Sequence, residues 1–119
     1  MAEPANLTDE TRTLVEILTF DGCPNSAATL ALVAKVLARE GVEADVRVVN
    51  VPDLEAARRL RLLGSPTVRV GGTDIEPGVE DRTDYVHGCR PYQTEAGLGG
   101  RPSEQWLADA LVRREASSS

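Results

Sequence analysis

The sequence predicts a single α/β domain in which helices flank a four-stranded mixed sheet. Short stretches rich in β-branched residues alternate with longer stretches of helical periodicity, in the order β-α-β-α-β-β-α. The first strand has apolar side chains on both faces, with Val15 and Ile17 on one and Leu18 and Phe20 on the other. A strand of this kind is typical of the centre of a sheet that is covered on both sides.

The first half of the chain contains a strand–helix–strand unit. A strand is predicted at Val15–Phe20, a helix at Pro24–Glu40 with Gly41 as its C-terminal cap, and a second strand at Ala44–Val51. The predicted apolar stripe of the helix consists of Leu30, Val33, Val36 and Leu37. Such a unit implies two parallel strands joined by a right-handed crossover.

The second half predicts a helix, a hairpin and a final helix. Leu54–Gly64 reads as a helix with Asp53 as its N-cap, and Ser65–Glu76 as two strands that turn at Gly71 and Gly72. The last helix is predicted at Ser103–Glu115, with an apolar stripe of Trp106, Leu107, Ala110 and Leu111. Residues 1–12 and 116–119 are predicted to be flexible tails, so the domain spans residues 13–115.

A polar, glycine-rich insertion at residues 77–101 precedes the last helix and does not fit the alternating pattern. It contains Cys89 and the only histidine of the chain, His87. Loops of this length are often functional or disordered. We therefore expect the insertion to lie outside the minimal fold and to hold candidate functional residues.

Composition excludes several classes of partner. The formal net charge of −6 disfavours nucleic acid and anionic lipid. No apolar run approaches the roughly 20 residues that span a bilayer, and the polar N-terminus does not resemble a secretory signal, so we expect a cytoplasmic protein. The two cysteines are then expected to be reactive, buried or metal-binding rather than disulfide-bonded. No cofactor is predicted from the sequence.

Two motifs carry a family resemblance. FDGCPNS (Phe20–Ser26) places a cysteine at the end of the first strand, and LGSPTVRV (Leu63–Val70) places Pro66 at the start of a later strand. Together with the element order, they resemble the thioredoxin-like fold over roughly residues 14–112, apart from the insertion. Because the second cysteine of a CxxC pair is absent, the first motif resembles the monothiol glutaredoxin type. The pattern also resembles small chains labelled alkylmercury lyase-like, which implies cleavage of a carbon–mercury bond by two thiols and a carboxylate.

Cys23 is the candidate nucleophile. With Pro24 as first helical residue, Cys23 would be the N-cap, and the free N–H groups of Asn25 and Ser26 would point at its sulfur. A helix start lowers a thiol pKa and so favours the nucleophilic thiolate. The alternative is a buried small hydrophobe. The Ser26 hydroxyl could hydrogen-bond the thiolate, or be an ordinary first-turn serine.

Asp21 has two interpretations. It could act as a general acid–base for a leaving group, but an Asx-type turn residue before Gly22 is favoured.

The predicted role of the loop at Ser65–Thr67, called the proline loop below, comes from the family resemblance. The resemblance implies a cis bond between Ser65 and Pro66, which turns the backbone towards Cys23 to pair with an extended peptide or thiol ligand. It also places Thr67 and Pro24 at the substrate site.

The predicted chemistry of the site depends on the role of Cys89. It could resolve a mixed disulfide at Cys23, or the two thiols could hold a soft metal such as mercury, copper or zinc. Bridging requires Cα atoms within about 7 Å. His87 could add a nitrogen ligand, although an exposed loop residue is the favoured interpretation. Three arginines of the insertion region could attract an anionic substrate or simply be solvated: Arg82, Arg90 and Arg101.

Three functions follow from these residues. The first is a thiol–disulfide oxidoreductase that acts on a small thiol or a disulfide-bearing protein. The second is mercury binding or organomercurial cleavage by Cys23 and Cys89, with Asp21 as proton donor. The third is a non-enzymatic module that binds a protein partner at the loop of Ser65 and Pro66.

Overall fold

The computed structural model describes residues 13–118, and side chains as far as Arg113. The predicted N-terminal tail lies outside these residues. The strands and helices are β1 (Thr13–Thr19), α1 (Ser26–Glu40), β2 (Ala44–Asn50), α2 (Leu54–Arg59), β3 (Thr67–Val70), β4 (Thr73–Asp74), β5 (Tyr92–Thr94), β6 (Gly97–Gly99) and α3 (Glu104–Ser118).

The main sheet has four strands in the order β2-β1-β3-β4. β1 pairs with β2 in parallel, from Thr13 opposite Ala44 to Thr19 opposite Asn50. β3 is antiparallel to both β1 and β4. The predicted four-stranded mixed sheet with a parallel crossover is therefore confirmed. β1 lies inside the sheet, so the loop that follows it emerges near the centre of one sheet end.

Both faces of the sheet are covered, as the first strand predicted. On one face Val15 and Ile17 pack in a cluster with residues of α1 and α3. On the other face Leu18 packs with Val51 and with residues of α2. The predicted stripe of α1 is wrong at one position, because Leu30 is 39% exposed. The stripe of α3 is confirmed: Leu107, Ala110 and Leu111 are buried, and Trp106 packs beside them.

Several predicted helix ends are shifted in the structure. α1 begins at Ser26 rather than Pro24, and α2 ends at Arg59, so Gly64 does not cap it. α3 continues to Ser118, through residues that the sequence assigned to a tail. Two caps are confirmed: Gly41 closes α1 in a left-handed conformation, and the Asp53 carboxylate accepts a hydrogen bond at the start of α2.

The insertion is a built part of the fold rather than an irregular loop. Residues 92–99 form the antiparallel pair β5–β6, and Arg90 and Tyr92 are almost completely buried. The segment was expected to lie outside the minimal fold, and it does form a strand pair separate from the main sheet. It is nevertheless packed against the domain through a few large side chains that its glycine-rich composition hides. No helix within residues 13–118 is long and apolar enough to cross a membrane.

Candidate thiol site

Cys23 lies in the turn between β1 and α1. Its N–H donates to the carbonyl of Phe20 at 3.1 Å, and its own carbonyl accepts from the N–H of Ser26 at 3.4 Å. The predicted N-cap role of Cys23 is wrong: Asn25 is the N-cap, and Pro24 precedes the helix. A tight turn therefore separates the cysteine from the first helical residue. Cys23 is only 9% exposed.

Three hydroxyl groups from three different elements surround the Cys23 sulfur. Thr19 ends β1, Ser26 begins α1 and Ser65 precedes β3, and hydrogen bonding from this group, most of all from Ser26, lowers the pKa of the Cys23 thiol. They also contact one another: the Ser65 hydroxyl donates to Thr19 Oγ1 at 3.0 Å, and Thr19 and Ser26 share a hydrogen bond. The sulfur thus lies in a small polar pocket at the end of the central strand.

This pocket changes the acidity of the thiol. Burial raises the pKa of Cys23, but hydrogen bonds from Ser26, Ser65, the N–H of Asn25 and Thr19 lower it by more. The net pKa of the thiol lies below its ordinary value. The cause is hydrogen bonding to the charged form, which favours that form. Thiolate is the nucleophilic form of cysteine, so this arrangement favours reactivity.

The loop before β3 is almost fully enclosed. The bond between Ser65 and Pro66 is cis, as the resemblance implied. Ser65, Pro66 and Thr67 are all buried. The Thr67 hydroxyl donates to the carbonyl of Gly64 at 2.6 Å and accepts from the Arg90 guanidinium at 2.8 Å. Thr67, which was expected to line a substrate site, therefore has its hydroxyl bonded within the protein.

A segment of the insertion covers this loop. We call residues 86–90 the strap. Val86 N–H donates to the carbonyl of Leu62 at 2.9 Å, Ser65 N–H donates to the carbonyl of Gly88 at 2.7 Å, and Arg90 N–H donates to the carbonyl of Ser65 at 3.0 Å. Cys89, in the middle of the strap, thereby forms a parallel bridge with Ser65.

The two cysteines flank Ser65. The Ser65 side chain lies beside Cys23 and helps to lower the pKa of its thiol, and the Ser65 backbone pairs with the strap at Cys89. Backbones paired in this way lie about 4.7–4.9 Å apart. Both cysteines are free; Cys23 is buried and Cys89 is exposed. The fold therefore brings both predicted thiols next to one residue, Ser65.

His87 anchors the strap. Its Nε2–H donates to the carbonyl of Val51 at 2.9 Å, and its ring centroid lies 4.5 Å from that of Phe20. The favoured interpretation of an exposed loop residue is therefore wrong. Within residues 13–118, no group of three or more histidine, cysteine or acidic side chains is placed to hold a metal ion.

Arg90 is the second residue that anchors the strap, and its large charged side chain is buried. Its side chain is 1% exposed and forms ion pairs with Asp74 at 2.8 Å and Glu76 at 2.7 Å. Its guanidinium lies 4.6 Å from the ring centre of Tyr92, whose hydroxyl donates to the carbonyl of Pro66 at 2.6 Å. The expectation of a solvated or substrate-attracting arginine is wrong here, because two carboxylates neutralise it inside the fold.

An open cavity of about 340 Å³ lies beside Cys23, on the side of β2. Eight residues line it: Thr19, Phe20, Asp21, Gly22, Cys23, Ser26, Val48 and Asn50. Asp21 is exposed and is the only charged residue among them. Pro24 is exposed but does not line this cavity. Arg82 and Arg101 line other cavities and not this one.

Sequence reasoning missed part of this site. Cys23, Ser26 and Ser65 were identified and come together, whereas Thr19 was read only as a strand residue. A hydroxyl residue at the end of a central strand, three positions before Gly22 and four before Cys23, is a signal that the sequence contains. The roles of Val48 and Asn50 in the cavity follow from the pairing of β2 with β1, which has no local motif.

Comparison of the chain with protein-family models, with curated proteins and with solved structures gives no match.

Proposed function

We propose that the protein is a thiol–disulfide oxidoreductase of thioredoxin-like fold, with Cys23 as the attacking thiolate and Cys89 as the resolving thiol. The observation that supports this most strongly is the hydrogen-bonded cluster of the Thr19, Ser26 and Ser65 hydroxyls beside Cys23, which lowers the pKa of its thiol. A buried sulfur in an apolar pocket would have a raised pKa and little reactivity. Here hydrogen bonding outweighs the effect of burial.

The arrangement of the sheet supports the thioredoxin-like assignment. The strand order is β2-β1-β3-β4, the cysteine follows the central strand β1, and a cis-proline opens β3 beside it. These are the features that the two sequence motifs implied. The strap and the β5–β6 pair are additions to that minimal pattern.

The proposed exchange has two chemical steps and a recycling step. The Cys23 thiolate attacks a disulfide R–S–S–R, which forms Cys23–S–S–R and releases one thiolate, RS⁻. The deprotonated Cys89 thiol then attacks Cys23 Sγ, which forms a Cys23–Cys89 disulfide and releases the second RS⁻. The substrate gains two electrons and the cysteine pair loses two. Two equivalents of a low-molecular-weight thiol reduce the pair again and are oxidised to a disulfide.

Trapping of the mixed disulfide tests this function. After incubation with hydroxyethyl disulfide, Cys89→Ser should accumulate an adduct on Cys23 by mass spectrometry, whereas the wild type should reach an internal disulfide. Cys23→Ser should form neither. If Cys89→Ser and wild type accumulate the adduct equally, the resolving role is wrong. If Cys23 reacts no faster than a free alkyl thiol at the same pH, the oxidoreductase proposal fails.

Soft-metal handling is the second candidate, and the cysteine positions favour it over a zinc site. Structural zinc normally needs four protein ligands, and the described part of the chain offers no cluster of three. Mercury(II) binds two thiolates in a linear arrangement, and Cys23 and Cys89 flank Ser65. Titration with mercury(II) should then show one equivalent bound tightly, and Cys23→Ser and Cys89→Ser should each lose it. Methylmercury turnover would extend this to cleavage, with Asp21 at the cavity rim as proton donor.

A further inference from the structure

The backbone N–H and carbonyl groups of Ser65 and Pro66 are already hydrogen-bonded within the described part of the chain. The N–H and the carbonyl of Ser65 are both bonded to the strap, through Gly88 and Arg90. The carbonyl of Pro66 accepts from the Tyr92 hydroxyl, and proline has no N–H. An extended peptide that lies across the thiol gains affinity from backbone hydrogen bonds to such an edge. On this side of Cys23 the protein's own chain already makes those bonds.

The strap is held in place at both ends. His87 bonds the carbonyl of Val51 and stacks on Phe20, and the Arg90 side chain is buried between two carboxylates. A Cβ atom on Gly64 would lie 2.7 Å from Arg90 Cβ, so the two backbones are in close contact. A peptide could reach Ser65 only by displacing the buried Arg90, and leaving that charge unpaired is unfavourable.

Within residues 13–118, Cys23 lines an open cavity on the side of β2. Its volume of about 340 Å³ is at the lower end of the range of small-molecule sites. Phe20 and Val48 supply apolar surface, and Asp21 supplies the one charge. A carboxylate at the rim repels anions, and the two described arginines of the insertion that could attract them, Arg82 and Arg101, line other cavities.

From these three observations we infer that the substrate of Cys23 is a small, uncharged or cationic disulfide or soft electrophile that enters beside Val48, and not a protein disulfide. The strap occupies the position beside Ser65 in which an extended peptide substrate would otherwise lie. This inference rests on the proposed thiol function, and it removes the partner-binding module at Ser65 and Pro66 from the favoured hypotheses.

The test compares three disulfides in the Cys89→Ser background, where Cys23 is the only thiol. The probes are hydroxyethyl disulfide, oxidised glutathione and insulin, and each rate is divided by the rate of 2-mercaptoethanol with the same probe. The normalised rate should be highest for hydroxyethyl disulfide, lower for the anionic glutathione disulfide, and roughly tenfold or more lower for insulin, because the strap would have to open.

A matched pair of variants tests whether the substrate reaches Cys23 through the cavity beside Val48. Val48 is 54% exposed and lines the cavity, whereas Val46 is 40% exposed on the same strand and does not. Val48→Trp should slow hydroxyethyl disulfide several-fold, and Val46→Trp should leave its rate unchanged. Equal normalised rates for insulin and hydroxyethyl disulfide, or no effect of Val48→Trp, would overturn the substrate class alone. Absence of any adduct at Cys23 with all three probes would overturn the proposed function itself.

Discussion

Replacement of Gly64 by alanine tests how firmly the strap is bound to the proline loop. Gly64 has φ +123°, and an added Cβ would lie 2.7 Å from Arg90 Cβ and 2.9 Å from Arg90 Cα. The unfavourable backbone conformation costs about 1–3 kcal/mol, and overpacking against a fixed neighbour costs about another 1–3 kcal/mol. We therefore expect Gly64→Ala to lower the free energy of unfolding by about 2–6 kcal/mol.

Urea denaturation at equilibrium measures this loss, and amide hydrogen exchange shows where it acts. The N–H groups of Ser65 and Arg90, which bond across the contact, should lose protection more than those of the paired strands β1 and β2. This pattern is expected because the clash is with the backbone of the strap and can be relieved only by moving it.

Gly72→Ala is the matched control. Gly72 also has a positive φ, +87°, but no atom lies within 4 Å of its added Cβ. It should lose only the conformational part, about 1–3 kcal/mol. A Gly64→Ala protein as stable as Gly72→Ala, or one with unchanged exchange at Ser65 and Arg90, would refute the close contact between strap and loop.

Two further predictions concern the buried arginine and the thiol. Arg90→Met should cost about 3–5 kcal/mol because two carboxylates lose their partner inside the fold, whereas Arg82→Met, which breaks an exposed pair, should cost under about 1 kcal/mol; urea denaturation compares them. Ser26→Ala in the Cys89→Ser background removes the largest hydrogen bond that lowers the pKa of Cys23. Alkylation of Cys23 by iodoacetamide should therefore reach its half-maximal rate at a higher pH in this variant than in Cys89→Ser alone, and it should be slower at pH 7.

Each of these predictions has a result that contradicts it. Similar losses for Arg90→Met and Arg82→Met would mean that the buried pair is no more important than a surface pair. For the thiol, Ser65→Ala is the comparison, since its hydrogen bond lowers the pKa of Cys23 by less than that of Ser26. An alkylation profile that Ser26→Ala leaves unchanged would show that the hydroxyl does not stabilise the thiolate.

The sheet could be predicted from the sequence because its signals are local. Alternating Val15 and Ile17, the stripe of α3 and the Gly71–Gly72 turn each follow from periodicity or turn chemistry, and the structure has them. Helix ends were predicted less accurately. α1 begins at Ser26 because residues 23–26 first form a turn, in which the N–H of Ser26 donates to the carbonyl of Cys23, and Asn25 occupies the N-cap position without a side-chain hydrogen bond.

The insertion could not be predicted, because its structure depends on long-range contacts. Arg90 is buried only since Asp74 and Glu76 lie opposite it in the fold, and neither residue has a motif that marks it as a partner. His87 likewise pairs with Val51, 36 residues away in the chain. Charged and glycine-rich composition is typical of loops, so the sequence pointed to a solvated segment.

Residues 77–101 also limit how the protein can be re-engineered. Surface connections normally tolerate deletion and insertion, and this one is the obvious segment to remove in a minimal version. Yet an added Cβ on Gly100 would lie 2.2 Å from the Asn25 side chain at the start of α1, while the strap covers the opposite side of the thiol at Ser65. One segment thus packs against both the start of α1 and the loop at Ser65, and deleting it would also remove the buried side chains of Arg90 and Tyr92.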